Sequence, residues 1–333
     1  MPRVKQVTRS RLACRGQHNR DRIGGQPVAA NPTTRHLPFA PAAGFVLIWS
    51  SGYIAGPYGV EAMSPLMLVA CRFVLAALLA WALARVFRGP LQVTRSDFWK
   101  IALVGFVLNG VQFAAMYLAF DAGLGATLAS LLHSLSPVLT ALLAAVFLGE
   151  RLSRVQVLGF VGGVAGVVLV LGPEVDQAGG AVGLTCAVIS VLGLSFGTLG
   201  QRWIGHAPDP LWSATIQFGA AAPPLLVLGL LVEGVDVVKD PAAAVTAIVF
   251  LAVVNSIIGL LLLGALVRAR GAGAAASVFF LMPPVTALLA WLILGETLNL
   301  RELVGLVVTV VAVGAATRTR APEDFEPVAR TRE

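Results

Sequence analysis

Residues 137–152 read PVLTALLAAVFLGERL, and residues 283–298 read PPVTALLAWLILGETL. Ten of the sixteen positions are identical at an offset of 146, among them Pro137/Pro283, Thr140/Thr286 and the Leu-Gly-Glu triplets at 148–150 and 294–296. Shared Leu/Ala composition would not place a proline, a threonine and a glycine-glutamate pair in one register. The match continues to Gly159/Gly305 and, at an offset of 145, to Ser50/Ser195, Gly52/Gly197 and Pro65/Pro210. The chain therefore reads as one unit written twice, over 39–171 and 180–317.

Both copies are strongly apolar. Of 333 residues 57% are hydrophobic and 12% charged, against about 25% charged in a soluble domain. A mean hydropathy of +0.84 leaves too few polar residues to cover a water-facing globule. That excludes a soluble enzyme, a disordered chain and a nucleic-acid-binding domain, despite a net charge of +7. Apolar runs long enough to cross about 30 Å of hydrocarbon as helix recur at 39–58, 65–87, 98–120, 124–148, 155–171, 180–200, 211–232, 242–267, 273–294 and 300–317. They lack the alternation of barrel strands. The expected fold is an all-α integral membrane protein of ten transmembrane helices in two five-helix repeats. An odd helix count inverts the second repeat, the arrangement of many secondary transporters.

Charge orients this set. Loops on one side hold 21 of the 24 Lys and Arg residues, whereas only Lys239 and Arg301 fall in loops on the other. The opposite loops carry Glu61, Asp121, Glu174, Asp176, Glu233, Asp236, Asp240, Glu296 and Glu302. The basic side is cytoplasmic by the positive-inside rule, which puts both termini there. Trp81, Trp99, Trp203 and Trp212 are expected at headgroup level on that side. An excess of Arg over Lys points to a GC-rich bacterium, so the expected location is a bacterial inner membrane. The first 38 residues carry eight basic side chains and one acid, Asp21. They read as an arm on anionic lipid, or else as a disordered tail or as residues upstream of the true start codon. A cytoplasmic tail over 318–333 follows the last span.

No Asp or Glu lies within the interior of a span, every acid falling at a span end or in a loop, which disfavours proton coupling through a buried carboxylate. Arg72 is the one charged residue well within a helix, able to attract a substrate carboxylate or to pack structurally. His133 is the only intramembrane group titrating near neutrality, so it is either a proton carrier or a hydrogen-bonded core residue; its repeat counterpart is Phe279. Asn109 and Asn255 sit near mid-span at the 146-residue offset. The candidate cavity set is Trp49, Tyr53, Arg72, Asn109, Gln112, Tyr117, His133, Gln217 and Asn255. Pro137, Pro223, Pro224, Pro283 and Pro284 are expected to interrupt helices as hinges. Gly149, Glu150, Gly295 and Glu296 form the repeated motif, the glutamates capping the helix that follows each. Glycines 159/163, 162/166 and 193/197 have the spacing of close helix packing. Cys14, Cys71 and Cys186 show no disulfide or zinc spacing, and neither a metal nor a cofactor is expected.

The motifs resemble the EamA branch of the drug/metabolite transporter superfamily. The resemblance rests on Trp49, Gly52, Pro65, Arg72, Pro137, Leu148-Gly149-Glu150, Gly159, Pro283, Leu294-Gly295-Glu296 and Gly305, and covers 39–317. It implies ten helices in two inverted repeats about a central cavity, and export or exchange of small metabolites such as amino acids. The long basic arm departs from that family's short N-terminus. Small multidrug resistance proteins, distant relatives, carry a glutamate in their first span, and 39–58 has none. The expected function is export of an amino acid or related carboxylate by alternating access, without enzymatic activity. Its partners would be the bilayer and the substrate, without nucleic acid, and a homodimer is compatible with this reading. Two alternatives stay open. Gly193-Leu194-Ser195-Phe196-Gly197 matches the GxSxG of rhomboid-type serine hydrolases, and a channel would need no coupling.

Overall fold

A computed structural model describes residues 39–172, 179–204, 209–266 and 277–318. The basic arm and nearly all of the C-terminal tail lie outside these residues. Nine helices of spanning length run through them: α1 (Phe39–Ala62), α2 (Pro65–Arg88), α3 (Arg95–Asp121), α4 (Ala126–Leu148), α5 (Arg154–Leu171), α6 (Gly180–Ile204), α7 (Pro210–Val232), α8 (Pro241–Leu266) and α10 (Leu300–Thr317). A shorter apolar helix, α9 (Val278–Leu294), completes the set. The protein is an all-α membrane protein, consistent with ten transmembrane helices. Met63 and Val238 form an isolated antiparallel bridge between the α1–α2 and α7–α8 connections.

Helix ends follow local chemistry. Pro65 and Pro210 occupy first-turn positions, where no N–H is needed. Ser153 and Gln156 form a reciprocal capping box on α5, and Asn299 and Glu302 bond each other's backbone N–H at the head of α10. Gly149 and Gly295 end α4 and α9 in the left-handed region, at φ 70° and 71°, where a side chain is strained. Two expectations change here. Because α5 and α10 cap themselves, Glu150 and Glu296 do not cap the helices that follow them. Glu296 instead accepts Ala126 N–H at 2.7 Å and Thr127 N–H at 3.2 Å, at the start of α4. Glu150 pairs with Arg202 at 3.1 Å.

The prolines also divide. Pro137 and Pro283 follow breaks in regular α-helix at Leu135 and at the 3₁₀ turn Ser277–Leu281. Pro223 and Pro224 interrupt nothing: α7 continues through both. Membrane helices tolerate such prolines because local adjustment and neighbours satisfy the freed carbonyls. The same holds for Pro57 inside α1.

Hydrocarbon supplies no hydrophobic drive between helices, so small residues and polar staples hold them together. Antiparallel α5 and α10 meet at glycines. A Cβ on Gly159 would strike Ala316, and one on Gly166 would strike Thr309. Antiparallel α2 and α7 are stapled at both ends. Glu233 accepts the N–H groups of Leu66 and Met67 at 2.8 and 3.1 Å, and Arg88 meets Asp209 at 2.8 Å. Between these staples Phe73 stacks on Phe218, centroids 5.3 Å apart. Trp81, Trp99 and Trp203 are exposed. Trp212 is not: it is buried against Leu211 and Ala84 because α2 packs over this end of α7.

Candidate functional site

Arg72 sits seven residues into α2, about 10 Å from its start, and is 5% exposed. Its Nε donates to Ser256 Oγ at 3.3 Å and its Nη1 to Tyr117 Oη at 3.1 Å. The guanidinium lies over Phe113, 4.5 Å from the ring centroid, with Phe73 at 5.2 Å. Among the described residues no carboxylate lies within ion-pair distance of it. The cation is thus held by neutral acceptors and aromatic faces, with Nη2 unused. Such a fork matches a carboxylate bidentately.

Asn109 and Asn255 each lie in a π-helical turn, Phe106–Val111 and Phe250–Ile258. Such turns are frequent at functional sites, and nothing in the residue pattern announces them. The two amides have different surroundings. Asn109 Nδ2 reaches Gln217 Oε1 at 3.5 Å, and Gln201 Nε2 donates to the same oxygen at 3.1 Å. Asn255 Nδ2 donates to the Ile48 carbonyl at 2.5 Å, in space that the missing Cβ of Gly52 leaves open. Asn255 Oδ1 is buried without a partner.

His133 joins a chain of fixed polarity. Ser190 Oγ donates its one proton to the Gln112 carbonyl at 2.8 Å, so it can only accept from His133 Nε2 at 2.9 Å. A neutral imidazole then accepts at Nδ1, from the Tyr53 hydroxyl at 2.8 Å. The chain links α1, α4, α6 and α3. It also answers the hydrolase alternative. Ser195, the serine of the GxSxG stretch, bonds Ser136 Oγ at 3.0 Å, while both nitrogens of His133 are engaged elsewhere.

Three groups therefore assemble: Arg72 with Tyr117 and Ser256, Asn109 with Gln217 and Gln201, and Tyr53 with His133, Ser190 and Gln112. Trp49 stands apart, packed with Phe45 and Phe279 at 5.3 and 5.8 Å. Ser190, Ser256 and Gln201 escape the sequence reading because a lone serine in an apolar helix, or a glutamine near a helix end, carries no distinguishing pattern. At the end of the bundle bearing Glu61 and Asp121, a cleft of about 320 Å³ is lined by those two acids with Pro57, Val60, Phe120 and Lys239.

The EamA-like transporter family matches the chain twice, over residues 41–172 and 181–317. A probable amino-acid metabolite efflux pump of Salmonella typhimurium is 27% identical over 79% of this chain and 88% of its own length. A probable terminal-alkyne amino-acid exporter of Streptantibioticus cattleyicolor is 31% identical over 78% of this chain and 86% of its own. An uncharacterised transporter of Bacillus subtilis is 26% identical over 80% and 87% respectively. A solved crystal structure, 20% identical at TM-score 0.59, shares the fold over 85% of this chain and 98% of that one. The chain belongs to the EamA-like transporter family, and is a multi-pass membrane transporter rather than an enzyme.

Proposed function

We propose that this transporter exports an amino acid or a related carboxylate-bearing metabolite across a bacterial inner membrane by alternating access. The observation that carries the reading is Arg72, a buried guanidinium with neutral partners and no carboxylate beside it among the described residues. An interior cation without a counter-charge is costly, and a carboxylate substrate supplies one during each cycle. Two relatives named for amino-acid efflux or export support the substrate class. With both termini placed in the cytoplasm, a negative-inside potential drives a net-anionic carboxylate outward by about 2.3 kcal/mol per charge per 100 mV, and does no net work on a zwitterion.

Two inverted repeats, exchanging roles about the cavity, are the machinery we assign to the cycle. In the described conformation the end expected to face outward is tied together. Ser64 N–H donates to the Val237 carbonyl and Lys239 N–H to that of Ala62, each at 2.8 Å. Phe120 fills the space a side chain at Gly56 would occupy. The acidic cleft above it repels a released carboxylate. A metabolite-toxicity screen in overproducing cells selects substrates, and proteoliposome counterflow then tests them. Saturable, stereospecific exchange is expected, whereas non-saturating conductance would mean a channel.

A further inference from the structure

Gln217 occupies in α7 the position that Arg72 occupies in α2, at the same 145-residue offset as Pro65/Pro210 and Gly52/Gly197. Each side chain reaches a π-helical turn of another helix: Arg72 meets Ser256, and Gln217 meets Asn109. Arg72 is cationic and donor-only, whereas the counterpart centre is built from three neutral amides. Gly105, just before the turn carrying Asn109, admits α7 so closely that a Cβ there would overlap the Gln217 backbone and side chain.

Gln217 Oε1 already takes both Asn109 Nδ2 and Gln201 Nε2. Gln217 Nε2, Asn109 Oδ1 and Gln201 Oε1 then have no protein hydrogen-bond partner among the described residues. Turning all three amides over exchanges these roles, yet donors and acceptors remain on offer side by side. Gln217 lies seven residues from the Pro210 end of α7, and Arg72 seven from the Pro65 end of α2. Because α2 and α7 are antiparallel, the two centres lie in opposite halves of the bundle.

We infer that Asn109, Gln201 and Gln217 form a second, cytoplasm-side station for the zwitterionic α-amino-acid group. Its carboxylate rests on amide N–H and its ammonium on amide oxygens, before the carboxylate passes to Arg72. The inference rests on the export reading and its orientation. A neutral station holds the zwitterion by both charges. Arg72 reads the carboxylate alone, through charge-assisted bonds roughly twice as strong as neutral ones. Selection for an amino acid therefore occurs at entry, and tight binding further out.

Counterflow of L-leucine in inside-out and right-side-out vesicles, with N-acetyl-L-leucine and 3-methylbutylamine as competitors, tests this. Gln217→Leu and Gln201→Leu should each raise KM about tenfold from the cytoplasmic face, as for a lost hydrogen bond to a charged group, with little change from the outer face. Gln201 is exposed, so its variant keeps the test open should Gln217→Leu fold poorly. N-acetyl-L-leucine should compete at the outer face and not at the cytoplasmic one. Equal KM shifts at both faces, or an unshifted cytoplasmic KM in both variants, would remove the station alone. Wild-type vesicles that exchange no amino acid would remove the export reading with it.

Discussion

Tyr53 lies 2.8 Å from His133 Nδ1, and with Ser190 committed to the Gln112 carbonyl that contact fixes the ring as its Nε2–H tautomer. Every proton in the chain then has an acceptor. A second proton on the ring would remove the acceptor that the Tyr53 hydroxyl uses. This geometry supports reading His133 as a brace between α1, α4 and α6 rather than as a proton carrier. Nitrogen-15 NMR of labelled histidine should show the neutral Nε2–H form at pH 7, and Tyr53→Phe should remove its Nδ1 partner.

The same chain bears on coupling. Glutamine can donate to Ser190 and accept from Tyr53, so His133→Gln should keep exchange within about threefold of wild type, with the same profile between about pH 6 and 8. A proton-driven flux in the wild type that His133→Gln abolishes would return the histidine to the coupling role.

Glu296 staples the end of α9 to the start of α4, with Thr127 Oγ1 adding a third bond at 2.8 Å. Removing a cap costs about 1 kcal/mol, and here two amides and a hydroxyl lose their acceptor together. Glu296→Ala should lower the unfolding temperature in detergent by several degrees, and Glu296→Gln, which keeps one acceptor oxygen, by less. Glu150→Ala, at an exposed ion pair, should cost less still. Equal losses in the three variants would show that the cap contributes nothing specific.

Arg72 separates stability from function. A buried charge with no counter-charge carries a desolvation penalty that an apolar side chain of similar length does not. Arg72→Met should therefore unfold no earlier than wild type while losing carboxylate transport by about 100-fold or more. Arg72→Lys keeps the charge and loses the planar fork and its stacking on Phe113, so an intermediate loss is expected. Thermal unfolding and counterflow, measured on the same preparations, check both arms.

The helices, their number and the repeated Leu-Gly-Glu end were legible because hydrocarbon demands long apolar runs and because a left-handed helix end demands glycine, as at Gly149 and Gly295. What the glutamates touch was not legible. A carboxylate at a helix end is within reach of several N-termini, and the self-capping of α5 and α10 by Ser153 and Asn299 decided between them. Trp212 misled for a similar reason, since its place along α7 says nothing of which face α2 covers. The π-helical turns carry Ser256 and Asn109, which Arg72 and Gln217 reach, and no residue type in the sequence marks their extra winding.

Asn109 and Asn255 share an offset but not their surroundings. Asn255 Nδ2 bonds the Ile48 carbonyl in the space left by Gly52, a helix-to-helix contact of the kind worth about 0.6 kcal/mol on average in a membrane protein. Gly52→Ala would drive a methyl into that amide, 2.7 Å from Nδ2, so it should destabilise more than Asn255→Ala does. Once the amide is gone the methyl has room. Gly52→Ala with Asn255→Ala should therefore be more stable than the sum of the single losses predicts, by more than about 0.5 kcal/mol. Asn109→Ala should leave unfolding nearly unchanged and raise KM instead, with an effect additive to that of Asn255→Ala because the two amides touch different partners. Additive losses for Gly52 and Asn255 would show that these residues do not meet, and Asn109→Ala without a KM change would make that amide packing as well.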